Sequence, residues 1–164
     1  WVPNLAGKQD LIPGRQNVLQ IRADREGIWR GQCAEFCGFQ HAHMGMILVA
    51  EPRDKYDAWR KSQVSARLDP PDEKRRRGET VFLTHACIMC HTIRGTSAAS
   101  NVGPDLTHVG GRQTIAAATL RAGAENLAAW ISDPQGIKPG SKMPRVQLSG
   151  EDLDALAAYL EGLK

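Results

Sequence analysis

The sequence predicts a mixed two-domain chain: a short all-β segment followed by an all-α domain. Three observations carry this. Residues 1–50 contain short apolar runs of strand length. Leu68-Asp69-Pro70-Pro71-Asp72 then interrupts the chain with two consecutive prolines, which no helix can continue. Beyond it, apolar residues recur at the spacing of helix faces. The boundaries read from this are 1–52 for the β unit, 53–73 for a helix and a Pro-containing linker, and 74–164 for the helical domain.

In the β unit, Val18-Leu19-Gln20-Ile21-Arg22 alternates apolar and polar as a half-buried strand does. Gly27-Ile28-Trp29-Arg30-Gly31 predicts a second strand. Met46-Ile47-Leu48-Val49-Ala50 predicts a third, more fully buried one. A helix is expected from Pro52 to about Val64, with Tyr56, Trp59 and Arg60 on one face. Past the prolines, Gly78, Val81, Phe82 and His85 fall at i, i+3, i+4 and i+7. Asn126 is a plausible N-cap for a helix carrying Leu127, Trp130 and Ile131, which must stop near Asp133-Pro134. The last helix starts at Ser149, with Asp152 in the capping-box place, and buries Leu153, Leu156, Ala157, Leu160 and Leu163.

The 164 residues are 41% hydrophobic and 24% charged, with a net charge of +3. That excludes disorder by composition. No apolar run is long enough to span a membrane. The chain opens on Trp1 with no signal-peptide pattern, so it reads as a piece of something longer. The basic excess lies in residues 51–77, where Lys74-Arg75-Arg76-Arg77 forms a run. The plain reading is a solvated helix start, and the sharper one is a docking surface for an acidic partner. Nucleic acid is not expected, because the run lacks aromatic interleaving or a known binding motif.

Four cysteines fall as two pairs, Cys33/Cys37 and Cys87/Cys90. That is too few for a disulfide scaffold and well spaced for metal or cofactor chemistry. Cys87-Ile88-Met89-Cys90-His91 is C-x-x-C-H, a haem c attachment pattern. Two thiols that add to the two vinyl groups of one haem must sit about one helical turn apart. The adjacent His91 then reaches the iron. Met143 and His108 are the candidates for the opposite iron face. Met143 is favoured, because the stiff loop Lys138-Pro139-Gly140-Ser141-Lys142-Met143-Pro144 can present it across the haem. His108 reads as a surface or supporting residue, and His85 and Met89 as bland.

The stretch Cys33 to Met44 gathers two thiols, two imidazoles, a thioether and a carboxylate in a loop. Thiolate with thioether argues for copper. A structural zinc site wants four Cys/His ligands and no Met. Zinc, or thiols without a metal, are the alternatives on spacing alone.

Residues 74–164 resemble a class I cytochrome c. The helix before C-I-M-C-H, the Gly103-Pro104-Asp105-Leu106 loop, the Met143 loop and the final helix occur in that family's order. The resemblance implies Gly78 and Phe82 crossing the final helix near Tyr159, with Pro104 on the His91 side of the haem. The earlier loop resembles the dinuclear copper (CuA) loop of cytochrome c oxidase subunit II, C-x-E-x-C-x-x-x-H-x-x-M, and so a partial cupredoxin-like fold. It implies Cys33 and Cys37 as bridging thiolates, His41 and Met44 as terminal ligands, and Glu35 as a ligand through its backbone carbonyl. The Glu35 side chain would face a magnesium site at the subunit I boundary. His43 and Met46 fall off the pattern. Trp1-Val2-Pro3, Gly7-Lys8, Asp10 and Pro13-Gly14-Arg15 are similar to the same family. The family's first copper-ligating histidine belongs just before Trp1. Its two membrane helices and early strands are also outside these residues, so an incomplete copper centre is expected here.

The function implied is electron transfer within a proton-translocating cytochrome c oxidase. A soluble donor reduces the haem, which passes electrons to the copper centre and on to subunit I. No residue for oxygen chemistry is expected in this chain. The alternatives are an electron-receiving module of a nitric-oxide or nitrous-oxide reductase, or a copper-delivery or thiol-redox module. Glu35 stands where nitrous-oxide reductases tend to have Trp. Such modules face the extracytoplasmic side of a bacterial membrane, anchored by helices this chain lacks, with subunit I and other oxidase subunits as partners.

Overall fold

The computed structural model describes residues 1–164. Its elements in order are β1 (Gly27–Gln32), β2 (Gly45–Ala50), α1 (Arg53–Gln63), α2 (Glu73–Thr84), β3 (Thr114–Ile115), β4 (Leu120–Arg121), α3 (Ala124–Ser132), α4 (Pro134–Ile137) and α5 (Gly150–Gly162). No helix is long and apolar enough to cross a membrane.

β1 and β2 pair antiparallel, with Gly27 opposite Ala50 and Gln32 opposite Gly45. The hairpin thereby pins both ends of the loop 33–44. The amino-terminal residues close on the same end: Gln32 N donates to Trp1 O at 2.9 Å, and Val2 is buried. Two expectations need correction. Val18–Arg22 is not a strand, and Val18 lies 72% exposed. Alternation shows that a segment suits a sheet, but a strand exists only where a neighbour accepts its ladder. β2 is not more fully buried either, because Met46 and Val49 are exposed.

α1 forms as expected, yet none of its residues is buried. Tyr56 and Trp59 stack on each other, ring centroids 5.8 Å apart, on an open face. The segment after α1 is not a free spacer. Arg67 N donates to Arg94 O at 3.1 Å, and the Arg67 guanidinium pairs with Glu79. His108 Nε2 lies 3.2 Å from Ser65 O. A carbonyl oxygen can only accept, so Nε2 carries the proton. Of the two places expected for His108, surface or supporting, the structure gives the supporting one: it is buried and fastens the linker to the helical domain.

Asp72 caps α2 by accepting from Arg75 N at 2.8 Å. The basic run follows, and each of its charges has an acidic partner. Lys74 meets Asp154, Arg75 meets Asp72, Arg76 meets Glu73, and Arg77 meets both Glu151 and Asp152. Exposed pairs of this kind add little stability. They do offset the positive charge of the run, which forms a paired helix start as the plainer reading expects.

The core is built where α2 crosses α5. A Cβ on Gly78 would stand 2.1 Å from Ala155 O, so only glycine permits this approach. Phe82 and Tyr159 pack there with ring centroids 6.4 Å apart. Val81, Phe82, Ile93, Leu127, Ile131, Leu156, Tyr159 and Leu160 join one apolar cluster. α5 starts at Ser149, whose hydroxyl accepts from Asp152 N at 3.1 Å, as expected. α3 starts earlier than expected. Its cap is Gly123, at φ +145°, while Asn126 donates to Arg121 O at 2.9 Å from within the first turn. Glycine makes the sharp turn from β4 that asparagine cannot.

Between β3 and β4 the alanines at 116, 117 and 118 have φ of 52°, 56° and 60°. Left-handed backbone costs an L-residue roughly 1–2 kcal/mol, so surrounding contacts must hold this turn.

Substituting Gly78→Val should destabilise the helical domain by about 3 kcal/mol, measured by chemical unfolding; an unchanged midpoint would remove this crossing from the account. Tyr159 supplies a pH test. Its buried hydroxyl has no hydrogen-bond partner, and burial raises its pKa to about 12. The folded state holds this proton more tightly than the unfolded state. Stability is therefore full below the ordinary tyrosine range and falls as pH rises from about 10 to about 12. Tyr159→Phe should flatten that alkaline limb and match or exceed the parent's stability at neutral pH.

Candidate functional site

The hairpin presents the first site. Loop 33–44 turns at Gly38, at φ +115°, and runs through a short helical turn at His41–His43. Gln32 Nε2 donates to His41 O at 3.1 Å and Cys33 N to Met44 O at 3.2 Å, so the loop closes on itself. The ligand atoms of Cys33, Cys37 and His41 all lie within 4.8 Å of one another. The two Sγ atoms are 3.5 Å apart, and Met44 Sδ is 3.2 Å from Cys37 Sγ. Glu35 contributes its backbone, whose carbonyl oxygen lies 3.2 Å from Cys33 Sγ. Its carboxylate leaves the cluster and reaches Lys8 at 3.5 Å.

Four of the five residues expected here thus bring side chains together, and the fifth brings its carbonyl. His43 is exposed and stays outside. The chemistry of the donors fits a soft cation. Hydrogen bonding with Cys33 foremost, then desolvation, holds the Cys37 thiol above its ordinary range. Two adjacent thiols resist carrying two negative charges unless a cation sits between them. His41 Nδ1 is buried with no hydrogen-bond partner, which suits a ring nitrogen whose partner is a metal.

The second site follows α2. The chain leaves that helix at His85 and turns through Ala86–Met89. Cys90 N and His91 N both donate to Cys87 O, at 3.2 and 2.9 Å. This turn places Cys87 and Cys90 about one helical turn apart. Cys87 packs against the apolar core, and burial pushes its thiol up. His91 Nδ1 lies 2.8 Å from Pro104 O. The carbonyl can only accept, so Nδ1 carries the proton and Nε2 is the free ligand nitrogen. A Cβ on Gly103 would fall 2.7 Å from His91 Cε1, so glycine lets this loop press on the imidazole. Pro104 therefore lies on the His91 side, as the resemblance implies.

Met143 is half-buried against the same apolar cluster. Gln135 Nε2 donates to Met143 O at 3.0 Å and to Ser141 O at 2.7 Å, which fixes the loop. These residues fit a haem: an apolar wall, two thiols one turn apart, an oriented imidazole and a thioether on a restrained loop. Sequence reasoning passed over the partners that orient these ligands. Gln32 and Gln135 carry no signal in one sequence, because each acts on a backbone carbonyl.

Comparison with known proteins agrees with both halves. Residues 76–164 match the family model described as cytochrome c. Residues 1–51 match cytochrome c oxidase subunit II, periplasmic domain. The whole chain is 44% identical to cytochrome c oxidase subunit 2 of Alkalihalophilus pseudofirmus, covering 47% of that protein. It is 35% identical to the subunit 2 of Bacillus sp. strain PS3 and 30% identical to that of Bacillus subtilis, covering 49% of each. The chain spans about half the length of the curated relatives it matches. By residues 76–164 the chain belongs to the cytochrome c family, and ahead of that domain residues 1–51 are similar to the periplasmic domain of cytochrome c oxidase subunit II.

Proposed function

We propose that this chain is the electron-transferring part of subunit II of a haem–copper terminal oxidase. Bound at the two sites, haem c and a dinuclear copper centre would supply one-electron carriage from a soluble donor toward subunit I, where oxygen is reduced. Units 1–52 and 74–164 hold the two sites, and 53–73 joins them.

In this reading Cys87 and Cys90 hold the porphyrin by thioether bonds. His91 faces the iron with Nε2, because Pro104 holds the proton on Nδ1. Met143 would be the second iron ligand, and a thioether ligand would favour a high potential. Cys33 and Cys37 would hold copper through their thiolates, with His41, Met44 and the Glu35 carbonyl as the further donors. These donors would form part of a dinuclear set. The Glu35 carboxylate is the candidate magnesium ligand at the subunit I boundary, where Lys8 now balances its charge. The sites face the extracytoplasmic side, with the membrane, subunit I and other oxidase subunits as neighbours. The observation that carries the reading is the pair of ring nitrogens. His41 Nδ1 is buried and unpartnered beside two thiols, and His91 Nε2 is freed by the bond at Nδ1.

Redox difference spectroscopy of the full-length membrane protein tests this. A c-type haem band together with a near-infrared copper band is expected, and a haem band alone would overturn it. Cys37→Ser should abolish the near-infrared band and leave the haem band. Met143→Leu should do the converse: keep the copper band, keep the haem attached, and lower the haem potential.

A further inference from the structure

Outside both ligand sets, the two sites are fastened to each other. The left-handed turn Ala116–Ala118 supplies three consecutive carbonyls, and each accepts a hydrogen bond from a distant residue. Ala118 O takes Arg30 Nη1 at 3.0 Å. Ala117 O takes Gly45 N at 3.0 Å. Ala116 O takes Lys138 Nζ at 3.4 Å. Arg30 and Gly45 belong to the copper hairpin, on β1 and β2. Lys138 begins the loop that carries Met143. Its neighbour Pro139 accepts, through its carbonyl, from Gln40 Nε2 in the copper loop. The contacts therefore form a closed circuit: hairpin, alanine turn, Met143 loop, copper loop.

The circuit is tight. A Cβ on Gly45 would lie 3.3 Å from Ala118 Cβ and 3.0 Å from Arg30 Nη2. Gly140, at φ +83°, leaves a Cβ position 3.4 Å from both Phe39 Cβ and Gln40 Nε2. Glycine stands at both places where the two units approach. Gln40 Oε1 and the Lys138 side chain are withdrawn from water there. Burial lowers the Lys138 pKa. A strained turn persists only where its surroundings over-determine it. Here the surroundings are the copper hairpin and the Met143 loop.

We propose that the Ala116–Ala118 turn, with Arg30, Gln40, Lys138 and Pro139, is a clasp that seats the copper loop against the Met143 loop. The two redox sites then form one rigid unit, and an electron crosses without a docking motion of the cytochrome domain. Arg30, Gln40 and Lys138 are positioning residues and touch neither metal nor haem. This rests on the electron-transfer reading above.

The experiment uses the full-length membrane protein with both centres loaded. The haem is photoreduced, and its reoxidation by copper is followed at rising viscosity and ionic strength. Hydrogen exchange at the Gly45 amide is measured in parallel. The parent should show transfer insensitive to both variables and a protected Gly45 amide. The double variant Arg30→Met, Gln40→Ala should exchange Gly45 faster by about tenfold or more. Its transfer should slow by about tenfold or more and become viscosity-dependent. Its haem and copper bands should stay unchanged, which separates loss of seating from loss of a metal site. Restoring a donor with Arg30→Lys should recover part of both effects. Viscosity-dependent transfer in the parent, or unaltered exchange and transfer in the double variant, would overturn the clasp. Absence of any haem-to-copper transfer in the parent, with both bands present, would instead overturn the functional reading.

Discussion

The close crossing of α2 over α5 at Gly78 is the constraint on which the helical domain depends. With no side chain at that position, the helices approach until the α5 backbone at Ala155 lies against α2. Phe82 then reaches Tyr159, and the apolar cluster closes around them. Both segments proposed to hold the haem hang from this crossing. The attachment turn follows directly from the end of α2, and the Met143 loop leads into α5. Fixing the helices therefore fixes both sides of the haem site with few additional contacts.

The proposed copper site obeys a different logic. A two-stranded hairpin is marginal on its own, and several residues of this one are exposed. Its loop is ordered by bonds across its own ends, from Gln32 to His41 and from Cys33 to Met44. The remaining support comes from the cytochrome domain, through Ala116–Ala118 and Pro139. One site is thus built on a hydrophobic core. The other is built on hydrogen bonds borrowed from its neighbour.

Much of this was legible in the residues, for physical reasons. C-x-x-C-H and the Cys33–Met44 loop concentrate rare, chemically specific donors, so a short string suffices. The helices of the second domain show because their buried stripes are long. What was missed depends on distant partners. Val18–Arg22 alternates like a strand but has no neighbour to pair with. Asn126 looks like a cap, yet Gly123 supplies the turn. His108 reads as either surface or supporting, because nothing local reveals that Ser65 comes to rest on it. Lys74–Arg77 reads as a positive patch until α5 brings Glu151, Asp152 and Asp154 beside it. The three left-handed alanines are the clearest case: alanine is the best helix former, and only tertiary contacts hold it otherwise.

The central claim is that one chain carries two redox sites of distinct metal, a thioether-linked haem and a thiolate-bridged copper pair. Elemental analysis of the full-length protein purified from its membrane, with haem retention checked after denaturation, tests it most directly. The account predicts copper to iron in a ratio of about two to one, with the iron still bound to the denatured chain. Zinc in place of copper, or haem released on denaturation, would contradict it.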